Sequence, residues 1–221
     1  MANNSSILST KKLLPDQKQE LLNANISLIE EDFIETKIKD FQWSKVNDNL
    51  IFTSQNAVQS ILNHPKVDDL KTKNVFSVGM KTKELLSENG FNVVAYTGYA
   101  ADLSEIISLI YAKERFTFFC GNLRRDVLPN TMKENGIIFN EIEVYETNIT
   151  SKKIKQKLDG ILFFSPSGVE SYLKLNTINE ETCFCIGETT AEVLENKNIT
   201  NIVIADKPSV EHVIAEVIEY Y

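Results

Sequence analysis

The chain repeats itself, and this constrains its fold more than any other feature. Residues 51–62 read IFTSQNAVQSIL and residues 162–173 read LFFSPSGVESYL. Phe52, Ser54, Val58, Ser60 and Leu62 recur 111 residues later as Phe163, Ser165, Val169, Ser171 and Leu173. Downstream, Gly79 and Thr82 recur 108 residues later as Gly187 and Thr190. A weaker third match sets Lys11, Leu13, Leu14 and Pro15 against Arg125, Val127, Leu128 and Pro129. Strand–turn–helix units resemble one another by chance. Three matches in one order at nearly one spacing nevertheless indicate two copies of a unit of about 110 residues.

Each copy has one local grammar. A short run rich in Ile, Val and Phe leads into a small polar turn and then a helical pattern. Such runs occupy 49–53, 74–78, 116–120, 160–164 and 184–186. Continuous apolar strands alternating with helices predict parallel sheets covered on both faces. The expected class is α/β, with two doubly wound, flavodoxin-like domains in 221 residues. No Pro/Gly/Ser-rich linker divides them. The expected crossings are extended stretches at 29–36 and 144–150.

Bulk properties narrow the functions. A net charge of −8 disfavours nucleic-acid binding, which needs a basic face. No run of 18 apolar residues marks a membrane span, and residues 1–10 lack the features of a secretory leader, so a cytoplasmic protein is expected. Cys120, Cys183 and Cys185 are too few for a disulfide framework and read as core residues. Cys183 and Cys185, along one buried strand, are expected to face opposite sides. His64 and His212, in helix-like segments remote in sequence, give them no metal partners, and no metal or cofactor is expected.

In open parallel sheets ligands bind beyond the carboxyl ends of the strands. This chain places five turns there: Ser54-Gln55-Asn56, Gly79-Met80-Lys81-Thr82, Gly121-Asn122-Leu123-Arg124-Arg125, Ser165-Pro166-Ser167-Gly168 and Gly187-Glu188-Thr189-Thr190. Either these residues only cap helices, or their free N–H groups and helix dipoles form anion sites. Five turns in two domains facing each other across a cleft would suit a large polyanion. Two of the three arginines, Arg124 and Arg125, sit where the dipole disfavours cations, which hints at a ligand. Lys11, Lys12, Lys81 and Lys83 stand at comparable turns. No Ser/His/Asp set, GxGxxG or phosphate loop is present, and pairs such as Glu30-Glu31 and Asp68-Asp69 read as solvated. An enzyme built this way needs a substrate that is already reactive.

Taken together, FTSQNAV, VGMKT, FCGNLRRDVLP, VYET, FFSPSGV, IGETTAEVL and KPSVEHV resemble, in order, the motif series of the uroporphyrinogen-III synthases. The resemblance runs from about residue 51 to the C-terminus and is specific in combination. It implies two α/β domains joined by a two-stranded ladder, one formed by 1–32 with 150–221 and the other by 36–146. It implies hydroxymethylbilane as the substrate, a linear tetrapyrrole with acetate and propionate on every ring. Loss of its hydroxyl as water, attack through a spiro intermediate and inversion of the last ring would give uroporphyrinogen III.

No cofactor is implied, and a monomer that closes around its ligand is expected. Tyr145, in the VYET segment, is the implied proton donor. Lys11, Ser54, Thr82, Gly121, Asn122, Arg124, Ser165, Ser167, Thr189 and Thr190 are the implied substrate contacts. The chain departs from the family in having Glu188 where Pro is common, and Lys11 where many members carry Arg, which costs a bidentate fork. Two other readings stay open: a non-catalytic module binding a tetrapyrrole or polycarboxylate, and an unrelated α/β enzyme acting on a nucleotide.

Overall fold

The computed structural model describes residues 4–42 and 45–221; the first three residues of the N-terminal stretch read above lie outside them. In chain order the elements are β1 (Ser6–Ser9), α1 (Pro15–Asn23), β2 (Ser27–Glu30), β3 (Ile34–Ile38), β4 (Asn49–Phe52), α2 (Gln55–Leu62), α3 (Asp68–Lys71), β5 (Asn74–Val78), α4 (Met80–Glu88) and β6 (Asn92–Thr97). They continue with α5 (Ala100–Ile110), β7 (Arg115–Gly121), α6 (Val127–Glu134), β8 (Ile138–Ile149), β9 (Gly160–Phe163), α7 (Pro166–Leu173), β10 (Thr182–Cys185), α8 (Glu188–Glu195), β11 (Ile202–Ile204) and α9 (Val210–Tyr220).

The chain divides into two compact units. Unit 1 comprises Met1–Glu35 and Asn148–Tyr221, and unit 2 comprises Thr36–Thr147. The chain leaves unit 1 within β3 and returns within β8. These two strands are neighbours in one sheet, and hydrogen bonds from Lys39 N to Val144 O and from Thr150 N to Phe33 O follow their pairing in opposite directions.

Unit 1 holds a sheet in the order β2-β1-β9-β10-β11, with every pair parallel. Unit 2 holds β8-β7-β4-β5-β6, also parallel, with β3 outside β8. Under the sequence repeat, β4, β5 and β6 correspond to β9, β10 and β11, and β7 and β8 correspond to β1 and β2. The two strand orders then match term by term. Each sheet therefore combines the opening two strands of one copy with the closing three strands of the repeat unit: β1 and β2 join β9–β11, whereas β7 and β8 join β4–β6.

Burial on both faces explains the apolar runs. All four residues of β4, of β9 and of β10 are buried. Alternate side chains feed opposite cores. In unit 2, Leu50, Phe52, Val75 and Phe119 meet α2, α3 and α4 through Ala57, Val58, Ile61, Leu70 and Leu86. Ile51, Phe76, Phe116 and Phe118 meet α5 and α6 through Leu103, Ile107, Leu128 and Met132. In unit 1, Leu8, Ile161 and Phe163 pack with Val169, Tyr172, Ala191 and Leu194 of α7 and α8. Ile7, Leu162 and Phe184 pack with Leu21 of α1 and with Val213, Ile214 and Val217 of α9. Fully burying one such side chain is worth about 1.5–3 kcal/mol, so each sandwich holds itself together on both sides.

One expectation fails here. Cys183 and Cys185 both belong to the cluster around Leu8, while Phe184 between them faces the other way. Residues two apart in a strand share a face, so the two thiols do not point to opposite sides.

Candidate functional site

In each sheet the direction of winding reverses at one place, and doubly wound proteins bind ligands outside the carboxyl ends of the strands there. In unit 2 the reversal falls between β4 and β7. In unit 1 it falls between β1 and β9.

At the unit 2 reversal, β4 runs into Ser54, whose hydroxyl caps α2 by accepting the Asn56 N–H at 3.1 Å. Next to it β7 ends at Gly121, which is paired with Tyr145 of β8. The ladder slips at this point. Cys120 pairs with Glu143 and Gly121 with Tyr145, so Val144 is an extra residue. In an unbroken strand Val144 and Tyr145 would face opposite sides. Here both pack on the cluster that holds Ile142, Phe52 and Phe119. The Tyr145 ring lies directly over Gly121: a β-carbon at Gly121 would stand 2.5 Å from Cε2 and 2.9 Å from the phenol oxygen. Burial pushes the Tyr145 phenol above its ordinary value, and the neighbouring Ser54 hydroxyl opposes that push. Burial also raises the adjacent Cys120 thiol to about 11, which makes it a poor nucleophile.

Other residues of this edge are tied into the protein. The Asn122 side chain accepts the Thr147 N–H at 2.7 Å and donates to the Thr147 carbonyl at 3.3 Å, so it pins β8 to the end of β7. Arg124 grips Glu141 and also pairs with Asp126. Arg125 is exposed. After β5, Gly79 adopts a φ of 88°, a conformation natural to glycine, and starts α4. Thr82, one turn on, is buried beside it. Lys81 is exposed, and Lys83 lies 5.5 Å from the centre of the Tyr96 ring.

At the unit 1 reversal, the Thr10 hydroxyl donates to the Leu162 carbonyl at 2.7 Å and so links the ends of β1 and β9. Lys11 follows, with its ammonium 5.4 Å from the centre of the Phe164 ring. Ser165 caps α7 by accepting the Gly168 N–H at 3.1 Å, and the Ser165 and Ser167 hydroxyls lie 3.1 Å apart. After β10, Gly187 starts α8. Glu188 is exposed, Thr189 is half-buried and Thr190 is buried. Among the described residues, the hydroxyls of Thr190 and Ser77 are the buried side-chain oxygens without a hydrogen-bond partner.

The structure therefore gathers Ser54, Thr82, Gly121, Asn122, Arg124 and Tyr145 on the carboxyl edge of one sheet. It gathers Lys11, Ser165, Ser167, Thr189 and Thr190 on the carboxyl edge of the other. Of the histidines, His64 lies beyond the far end of α2, whereas His212 sits in the first turn of α9, which follows β11 on the carboxyl side of the unit 1 sheet. His64 stacks on Phe41, and His212 meets the Ser209 cap at 2.8 Å. Among the described residues, no group of three or more His, Cys, Asp or Glu is placed to hold a metal, and no helix is long and apolar enough to cross a membrane. Sequence reasoning missed two participants. Glu141, which holds Arg124, is remote from it in sequence. The Val144 insertion leaves a faint trace as two adjacent residues that both reach one core.

Two doubly wound units, each with hydroxyl- and N–H-bearing turns at its winding reversal, define a ligand-binding α/β protein of the duplicated, two-unit class. The chain belongs to the uroporphyrinogen-III synthase family: the family model described as uroporphyrinogen-III synthase HemD matches residues 24–215. It is similar to the uroporphyrinogen-III synthase of Saccharomyces cerevisiae, with 25% identity over 209 residues that cover 78% of this chain and 75% of the yeast protein. The fold is that of the solved uroporphyrinogen-III synthetase of Helicobacter pylori, with a TM-score of 0.72 and 21% identity over 99% of this chain and 100% of the other. It is also that of a mutant Thermus thermophilus uroporphyrinogen III synthase, with a TM-score of 0.71 and 13% identity over 96% and 97% of the two chains.

Proposed function

We propose that the chain converts hydroxymethylbilane to uroporphyrinogen III, a hydro-lyase reaction in which water leaves and the last pyrrole is inverted. Family membership supports this reading. The observation that carries it in the site is Tyr145, held at a winding reversal by Gly121 and Ser54.

In this proposal the Tyr145 phenol gives its proton to the departing hydroxyl, and water leaves. The resulting azafulvene cation is attacked at the substituted position of the last ring to form the spiro intermediate. Fragmentation and re-closure invert that ring, and the proton lost as the last pyrrole regains aromaticity restores the phenol. A phenol whose ionisation is pushed upward stays protonated at neutral pH, as a general acid must. The bilane is already reactive, so most of the catalysis is control of geometry. Eight substrate carboxylates need donors. The turns at Ser54, Thr82, Ser165, Ser167, Thr189 and Thr190, with Lys11, offer hydroxyls, N–H groups and one cation. Arg124 is less suited to this task, because two carboxylates already occupy it. We further propose that the protein acts in the cytoplasm as a monomer without a cofactor.

Freshly prepared hydroxymethylbilane, followed by separation of the ring isomers, tests the proposal. The inverted isomer should dominate. The uninverted isomer forming at the rate seen without protein would refute the activity, and would favour a binding module for a tetrapyrrole.

A further inference from the structure

We propose that Gly121 and the Val144 insertion form a seat that aims Tyr145, which makes Gly121 a positioning residue for the reaction. This inference rests on the activity proposed above. Two independent features carry it. The ladder slips by one residue between Cys120 and Gly121, so Tyr145 joins Ile142 and Val144 on the face of α2 and Ser54. Without the slip, the pleat would turn Tyr145 to the face of α5 and α6. Bulges beside functional sites re-aim a side chain in this way.

The second feature is the space itself. The aromatic ring occupies the position where any other residue at 121 would carry its β-carbon, 2.5 Å from Cε2 and 2.9 Å from the phenol oxygen. The ring is half-buried against Phe52, Phe119 and their neighbours, so it has little room to retreat. Glycine in a strand commonly marks such a close approach. Gly121 thus does more than end β7. It sets the height of the phenol above the sheet, and Ser54 bounds it from the next strand.

The test is a cycle of variants at 121 and 145. Gly121→Ala should lower kcat by ~10²-fold with little change in KM, because a displacement on the order of 1 Å at the reacting group has that effect. In the Tyr145→Phe background the ring still shifts but no longer carries the proton. There Gly121→Ala should cost no more than about twofold, the usual margin for independent effects. An equal loss in both backgrounds would overturn the proposal and assign Gly121 a direct role toward substrate.

Folding is tested separately. Gly121→Ala should lower Tm, and adding Tyr145→Ala should recover most of that loss by removing the ring. If Tyr145→Ala recovers none, the ring is not what the new methyl meets, and the seat is refuted whatever the activity. The thermal cycle needs no substrate, so it separates failure of the seat from failure of the proposed reaction. If the wild type makes no inverted isomer while the thermal cycle still couples 121 to 145, only the activity is lost.

Discussion

The Arg124 guanidinium forks onto Glu141, with Nε 2.5 Å from one carboxylate oxygen and Nη2 3.0 Å from the other. Both side chains are about three-quarters covered, at 22% and 28% exposure. A partly shielded bidentate pair of this kind is worth on the order of 1 kcal/mol. Arg124→Gln should therefore lower Tm by roughly 2–4 °C. Its KM for the bilane should rise less than ~tenfold, the mark of one lost contact of about 1.4 kcal/mol. A tenfold or larger rise would show that substrate carboxylates displace Glu141 from the arginine.

Tyr145→Phe keeps the ring on Gly121 and removes only the hydroxyl. Its kcat should fall by ~10²–10⁴, the span of general-acid catalysis. Residual product should shift toward the uninverted isomer, because the bilane closes unaided to that ring. Steady-state rates with isomer separation check both points. Unchanged turnover would remove the proposed acid.

Ser165 combines two roles that can be separated. Its hydroxyl caps α7, so Ser165→Ala should cost ~1 kcal/mol of stability. Aspartate is an equally good cap, and its charge suits the helix dipole, so Ser165→Asp should keep Tm near that of the wild type. The same charge repels a ligand carboxylate, so KM should rise. Thermal melts together with saturation kinetics check the pair. An unchanged KM in Ser165→Asp would take substrate away from this turn.

The three thiols make a prediction about alkaline pH. Burial raises Cys120 to about 11, and Cys183 and Cys185 to about 12, from an ordinary 9.0. Above pH 9 the unfolded chain releases these protons while the folded chain retains them. Stability thus falls as pH rises, from about the unfolded value toward the folded ones. Denaturant melts should lose stability progressively from pH 9 to 11. The Cys183→Ala, Cys185→Ala double variant should be weaker at pH 7 but lose less over that interval. A thiol-specific colorimetric reagent should find no reactive cysteine in the native protein and three after unfolding.

Much of this protein is written locally. The runs at 49–53 and 160–164 read as strands because a parallel strand covered on both faces needs no polar residues, and the strands they form, Asn49–Phe52 and Gly160–Phe163, are buried throughout. Ser54 and Ser165 read as caps from their place between an apolar run and a helical pattern, and both accept an N–H there. The faint match of residues 11–15 with 125–129 marked the corresponding helices α1 and α6. Periodicity alone was enough to show the shared face of Cys183 and Cys185, and the expectation that they diverge misapplied the two-residue repeat.

Tertiary structure decided the rest. The repeat told that two similar units exist, but similarity cannot say whether β1 pairs with β9 or with β4, because each copy offers the same kind of edge. The register of Ile7, Leu8 and Ser9 along Gly160, Ile161 and Leu162 settled it. The fork of Arg124 on Glu141 depends on how β7 and β8 lie side by side. The aim of Tyr145 depends on one extra residue in a ladder. The sequence named the phenol and the glycine, but only the pairing of strands distant along the chain laid one upon the other, because a contact at that range is set by register and packing rather than by neighbouring residues.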